Sequence, residues 1–134
     1  MLMDVIKLNG TDKKLYELVG PLTMSQAVLR QNNNYPFKTG LRYVWYVAVD
    51  MEQVLGFMPV RRTATDDYII DNYYAKGDDA TVIDRLLTEV FSGRDTEAAL
   101  WATVHKRHAE QFGRRGFRVH LAWKNYEKML YCPK

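Results

Sequence analysis

The feature that most constrains this chain is a change of hydrophobic period near residue 80. Residues 43–49, 54–62 and 68–75 are rich in aromatic and β-branched side chains and are divided by polar turns at 50–53 and 63–67. Beyond them Val82, Ile83, Leu86, Leu87, Val90 and Phe91 fall on one helical face, with Asp84, Arg85, Thr88 and Glu89 opposite. Gly93 closes that helix and residues 100–104 return to a short apolar strand. A strand leading through a helix into another strand needs a crossover, so the strands before and after the helix are expected to be parallel neighbours. The preceding three form an antiparallel meander. The fold class expected is α/β (α+β): a mixed, largely antiparallel sheet flanked by helices.

The remaining segments fit that frame. Residues 5–8 read as a strand. Thr11 or Asp12 can cap a helix with Leu15, Leu18 and Val19 inward, ended by Gly20-Pro21. Ser25 can cap a second helix with Ala27, Val28 and Leu29 inward, stopped by the polar stretch 31–34 and Pro36. Pro59 cannot donate a ladder hydrogen bond, so the second meander strand should carry a bulge or an unpaired position there. Residues 106–115 suit a basic helix ending at Gly116, and 118–123 with 126–132 a final strand pair. The order is β, α, α, β, β, β, α, β, α, β, β. Neither a repeat nor a linker interrupts it, so residues 1–134 are expected to form one domain.

Composition bounds the function. Apolar residues make up 47% and charged residues 26%, the balance of a soluble globular protein. One cysteine, Cys132, excludes an intrachain disulfide framework and a Cys-rich zinc site. The longest unbroken apolar run, 43–49, is far shorter than the roughly 20 residues that span a bilayer. Asp4 breaks the apolar start, so no signal peptide is expected, and a cytoplasmic protein without membrane contact is. The formal charge of +3 is uneven: residues 1–100 carry 11 Lys/Arg against 14 Asp/Glu, and residues 101–134 carry 8 against 2. A basic third either attracts phosphate, in nucleic acid or a nucleotide-like cofactor, or balances the acidic remainder. Its Arg and Lys alternate with apolar residues instead of running in a block, which suits the second reading.

The element order, the strand–loop–helix from Tyr68 to Phe91, and the ending Gly116-Phe117 followed by Tyr126-Glu127-Lys128-Met129 resemble the GNAT superfamily of N-acetyltransferases over nearly the whole chain. The resemblance implies acetyl-coenzyme A as co-substrate and no metal. The family's cofactor loop, Q/R-x-x-G-x-G/A, falls on Tyr74-Ala75-Lys76-Gly77-Asp78-Asp79, where only Gly77 matches. A helix N-terminus there offers free N–H groups and a positive dipole end to a diphosphate. Asp78 and Asp79 act in the opposite direction, and Asp79 also suits the helix N-cap. The implied cofactor-binding residues are Tyr73, Tyr74, Lys76, Gly77, Asp78, Asp79, Ala80, Thr81 and His105. The tyrosine that protonates the leaving thiolate in many members stands five residues before the Gly-Phe phenylalanine, which is Phe112 here. Its substitute is expected in Tyr126, or else in His105 or His108. The thioester is expected in a splay between the strands 68–75 and 100–104, with Asp71 as general base.

Other constellations are weaker. His105-x-x-His108 with Cys132 lacks a third ligand at supporting spacing, so no metal site is expected. Asn34-Tyr35-Pro36-Phe37 either lines an acceptor pocket or closes the core. Of Tyr73 and Tyr74, on opposite faces of a strand, one belongs to the core and the other meets pantetheine or acceptor. Phe112 is expected to pack the basic helix on the sheet. Arg114, Arg115 and Arg118 form a solvated face or contact a 3′-phosphate or acidic partner. Trp45, Trp101 and Trp123 read as core anchors. The function expected is coenzyme A-dependent transfer of an acetyl group to a small-molecule or peptide amine. The alternative is an inactive module of the same fold that engages an acidic protein or nucleic acid through the basic third. A homodimer is compatible with the exposed strands.

Overall fold

The computed structural model describes residues 3–132. Its strands are β1 (Asp4–Asn9), β2 (Tyr43–Asp50), β3 (Gln53–Arg62), β4 (Tyr68–Ile70), β5 (Tyr74–Ala75), β6 (Leu100–His105), β7 (Phe117–Ala122) and β8 (Tyr126–Tyr131). Its α-helices are α1 (Lys13–Thr23), α2 (Gln26–Gln31), α3 (Ala80–Ser92) and α4 (Ala109–Arg114), with single 3-10 turns at Lys76–Asp78 and Lys106–His108. The sheet order is β1-β2-β3-β4-β6-β8-β7, with β5 also paired to β3. Among the described residues only the β4–β6 pair is parallel, as the crossover through α3 requires.

Three of the four α-helices begin where a side chain can satisfy an orphan N–H group; α4 has no side-chain cap. Asp12 accepts from Lys14 N at 2.9 Å, Ser25 from Val28 N at 3.4 Å and Asp79 from Thr81 N at 2.9 Å. α3 buries Val82, Ile83, Leu86, Leu87 and Val90 against the sheet, each contributing on the order of 2 kcal/mol. Gly93 closes it by donating to Glu89 O. The core on this face also holds Met58, Ile70, Tyr73 and Phe112. A second core lies under α1 and α2 and joins Leu15, Val19, Trp45, Phe57 and Tyr74.

Several boundaries differ from the sequence reading. α1 runs through Gly20-Pro21 to Thr23, because a glycine before the proline has no Cβ to clash and Met24 N closes the last turn on Gly20 O. In α2 Val28 is the buried residue, while Ala27 is exposed and Leu29 only half-buried. The basic segment is a 3-10 turn followed by only six α-helical residues. Both Tyr73 and Tyr74 are buried, one in each core. The third meander strand is broken into β4 and β5 by three residues. Its partner β3 explains the break. Pro59 O accepts from Asp71 N at 2.9 Å, so Pro59 turns its N–H-less edge toward residues 71–73. Between the pairs Val60↔Ile70 and Phe57↔Tyr74, three residues oppose two, which is a bulge facing the proline. The expectation of an unpaired position at Pro59 holds.

β3 and α3 meet at Gly56, where an added Cβ would stand 2.6 Å from Tyr74 O and 2.9 Å from a Val82 methyl. Gly56→Ala should therefore lower stability by about 1–3 kcal/mol, through separation of β5 and α3 from β3. Urea unfolding followed by tryptophan fluorescence measures this, and an unchanged midpoint would contradict the packing described.

Candidate active site

The bulge opens the sheet. β4 follows β6 for three residues, Tyr68↔Leu100 to Ile70↔Ala102. The chain then leaves to pair with β3, while β6 continues along β8 as far as His105↔Tyr126. A fork results between residues 73–75 and 103–105. Among the described residues, neither Asn72 nor Tyr73 donates its backbone N–H to a protein acceptor. Two amides thus stand free where the strands part.

Tyr73 occupies the root of the fork and is 1% exposed. Its hydroxyl accepts from His105 N at 3.3 Å and lies 2.6 Å from His108 Nδ1. His108 Nε2 is 2.9 Å from Asp78 Oδ1. A carboxylate only accepts, so Nε2 carries the proton and Nδ1 accepts from the Tyr73 hydroxyl. Burial pushes the Tyr73 phenol far above its usual value and lowers His108, against the upward pull of Asp78. His105 Nε2 donates to Asn32 Oδ1 at 2.7 Å, and burial, with Arg107 and His108 nearby, pushes its pKa down to about 3. Both imidazoles are neutral in the folded protein. Phe112 is fully buried against Tyr73 and Phe117 and has no hydroxyl to offer, which bears out its packing role.

The loop before α3 fits a diphosphate in its backbone and opposes one in its side chains. Gly77 has φ +63° with open space where a Cβ would lie, so an anion can approach its backbone closely. The Ala80 and Val82 amides open the helix without a protein acceptor among the described residues. Thr81 N is taken by Asp79. Asp78 Oδ1 accepts from Arg107 Nε at 3.1 Å and Gln31 Nε2 at 3.3 Å as well as from His108. The chain thereby places a carboxylate of its own among the cations nearest the loop, and Lys76 remains exposed beside it. Arg107, held by Asp78 and Gln31 O, is the cation nearest that loop besides Lys76. Tyr74 lies outside this arrangement, packed on Phe57 in the opposite core.

On the α1–α2 face of the fork is a cavity of about 490 Å³ lined by Tyr35, Pro36, Lys38, Pro59, Asp71, Asn72, Thr103, Trp123 and Tyr126. Asp71 Oδ2 accepts from the Tyr43 hydroxyl at 3.1 Å. Asn72, also bonded to Asn32, donates to Tyr35 O and Pro36 O and pins that loop against the bulge. Tyr126 donates to Asn32 O at 3.2 Å and meets Tyr35 edge-on at 5.3 Å. Its phenol is raised by burial. The 34–37 segment divides: Tyr35 and Pro36 line the cavity, and Phe37 packs on Phe57 in the core. Trp45 is a core anchor, but Trp123 is 47% exposed at the cavity and Trp101 is half-buried beneath Lys128. The sequence reading missed Asn32 and Gln31 as site residues. Their one signal was a polar run at the end of a helix, which also serves as an ordinary stop.

Five of the seven described cations of the basic third are exposed, and three of the seven are ion-paired. Arg107 pairs with Asp78, Arg114 with Glu110 and Arg115 with Asp84. A docking face there for nucleic acid or an acidic protein is not supported. No helix among the described residues is long and apolar enough to cross a membrane, and no group of three metal-ligating side chains occurs among them.

No family model and no curated relative matches the chain. Solved structures do. An acyl-CoA N-acyltransferase from Pseudomonas aeruginosa is 13% identical with a TM-score of 0.75, over 98% of this chain and 100% of that one. Escherichia coli ElaA is 11% identical at 0.72, over 96% and 99%. The PaiA N-acetyltransferase from Thermoplasma acidophilum, solved in complex with coenzyme A, is 14% identical at 0.66, over 98% and 99%. The fold of this chain is the GNAT fold.

The neutral histidines set a pH dependence. Unfolded, each titrates near 6.5, whereas folded His105 takes a proton only near 3. Between these values the unfolded chain binds more protons, so this stability is whole above about 6.5 and falls with acidification, by up to about 1.4 kcal/mol per pH unit for His105. Calorimetric melting from pH 7 to 5 should show the decline, and His105→Gln, which keeps a donor for Asn32, should flatten it. An equal slope in that variant would rule His105 out as its source.

Proposed function

We propose that this protein is a coenzyme A-dependent N-acetyltransferase. The observation that carries the reading is the fork itself, with two unpaired amides at its mouth between a glycine-containing helix-start loop and a carboxylate-bearing cavity. The fold neighbours named above, one of them holding coenzyme A, support the same reading.

Gly77, Ala80 and Val82 would hold the diphosphate through backbone N–H groups, with Lys76 and Arg107 as counter-charges and Thr81 at the same helix start. Bound acetyl-coenzyme A supplies an acyl group activated as a thioester. Tyr73 and His105 form the floor of the fork. Asp71 takes one proton of the incoming ammonium, the amine nitrogen forms the new bond to the acyl carbon as the carbon–sulfur bond breaks, and the second proton that the nitrogen sheds passes to solvent. The Asn72 and Tyr73 amides stabilise negative charge on the acyl oxygen while it develops. The departing sulfur keeps the electron pair and takes a proton from the Tyr126 hydroxyl, which solvent restores. Tyr126 is the phenol for this step because it lines the cavity and can turn its hydroxyl from Asn32 O to the sulfur, whereas Tyr73 is sealed in the core. The Tyr73–His108–Asp78 chain holds the fork in shape.

Two outcomes test this. Isothermal titration with acetyl-coenzyme A should detect binding, and Asp78→Asn should tighten it about tenfold by freeing Arg107 and removing a like charge near the phosphates. Absence of heat in both proteins would refute the reading, and weaker binding in the variant would refute the role of Asp78. With an amine that the protein acetylates, Tyr126→Phe should lower kcat by on the order of 100-fold while leaving the affinity for acetyl-coenzyme A unchanged.

A further inference from the structure

We infer that the acceptor is a monoamine with a single flat or branched apolar body, such as an arylalkylamine or an apolar amino acid, and not a polycation. The inference rests on the transfer reading above and adds the substrate class.

The cavity holds the argument. Its size suits a small molecule of about 10–20 heavy atoms, and five of its nine lining residues are Tyr35, Trp123, Tyr126, Pro36 and Pro59. Tyr35 and Trp123 are 56% and 47% exposed, so two large rings stand uncovered at one opening. Rings presented in this way bury a flat apolar body. The walls are held in place, Tyr35 through Asn72 and Tyr126 through Asn32, so the shape precedes the ligand.

Charge decides the number of amines. Asp71 is the single carboxylate in the lining and Lys38 the single cation. One ammonium is therefore neutralised at Asp71. A second or third would lie against aromatic and proline surface or near Lys38 with no counter-charge, at a large desolvation cost. Lys38 instead suits a carboxylate on the same molecule. An arylalkylamine and an aromatic amino acid share the recognised chemistry and differ only in their use of Lys38.

The test has a binding arm and a turnover arm. In the first, 2-phenylethylamine, phenylalanine and spermidine are titrated into the full chain without coenzyme A, followed by the fluorescence of Trp123 as the difference between the wild type and Trp123→Phe. The two aromatic amines should bind at least tenfold tighter than spermidine, and Asp71→Asn should weaken them about tenfold. Lys38→Ala should weaken phenylalanine alone if the carboxylate is part of the recognised set, and should leave both unchanged if a simple amine is the preferred source. In the second arm, thiol release from acetyl-coenzyme A should give the aromatic amines a kcat/KM at least 100-fold above that for spermidine. Spermidine or a lysine-bearing peptide binding as well as 2-phenylethylamine would overturn the inference, as would indifference of amine binding to Asp71→Asn. Amine binding as expected with no binding of acetyl-coenzyme A would retain the monoamine site and refute the transfer reading. Acetyl-coenzyme A binding with no aromatic amine bound does the reverse.

Discussion

The structure turns on a hydrogen bond that residue 59 cannot make. A proline in the interior of a sheet leaves its neighbour without a donor, and in this chain that neighbour is the segment 71–73. The ladder resumes two residues along β3 but three along the opposing segment, so one residue is extruded. Extrusion moves β5 away from β6 and leaves the Asn72 and Tyr73 amides without acceptors. It also brings Asp71 to the Tyr43 hydroxyl and Asn72 to the carbonyls of the loop at 35–36.

An opened sheet exposes polar groups that must find partners, and this one finds them in a buried network. Asn32 is its hub: its side chain meets His105 and Asn72, and its carbonyl takes the Tyr126 hydroxyl. Tyr73, His108 and Asp78 continue the network to the loop before α3. Such a network is rigid when satisfied and costly when broken, and it ties the end of α2, the fork and the helix-start loop together. The neutrality of both histidines follows from the same burial. Ionising either would place a charge where Arg107 already stands.

The large elements were legible because their causes are local. The face Val82, Ile83, Leu86, Leu87 and Val90 can only be a helix packed on one side, and Asp12, Ser25 and Asp79 cap where short polar side chains precede apolar periods. Even the interruption at Pro59 was readable, since it follows from a missing atom. The site was less so, because its contacts join residues far apart in the chain. Asn32 meets Asn72 and His105 only after folding, and nothing in the run Gln31-Asn32-Asn33-Asn34 distinguishes the buried member from its exposed neighbours. Trp123 was misplaced for a similar reason. Its aromatic bulk suggests a core, but it lies just past the end of β7, the terminal strand of the sheet, and stands half-exposed.

The two aspartates of the helix-start loop act differently, and the difference bears on how an anion enters. Asp79 does what a short acid before a helix ordinarily does, using one amide and leaving those of Ala80 and Val82 free. Asp78 is held at φ 54°, a strained geometry for a residue with a side chain, by bonds to Gln31, Arg107 and His108. A monoanion arriving at Arg107 exchanges one charge contact for another and gains little. A diphosphate can engage Arg107, Lys76 and the free amides together, so its gain exceeds the single contact that it displaces. Under the transfer reading, Asp79 stands at the second glycine position as a helix cap, while Asp78, at a variable position of the loop, acts as a filter on ligand charge through the same carboxylate that positions His108.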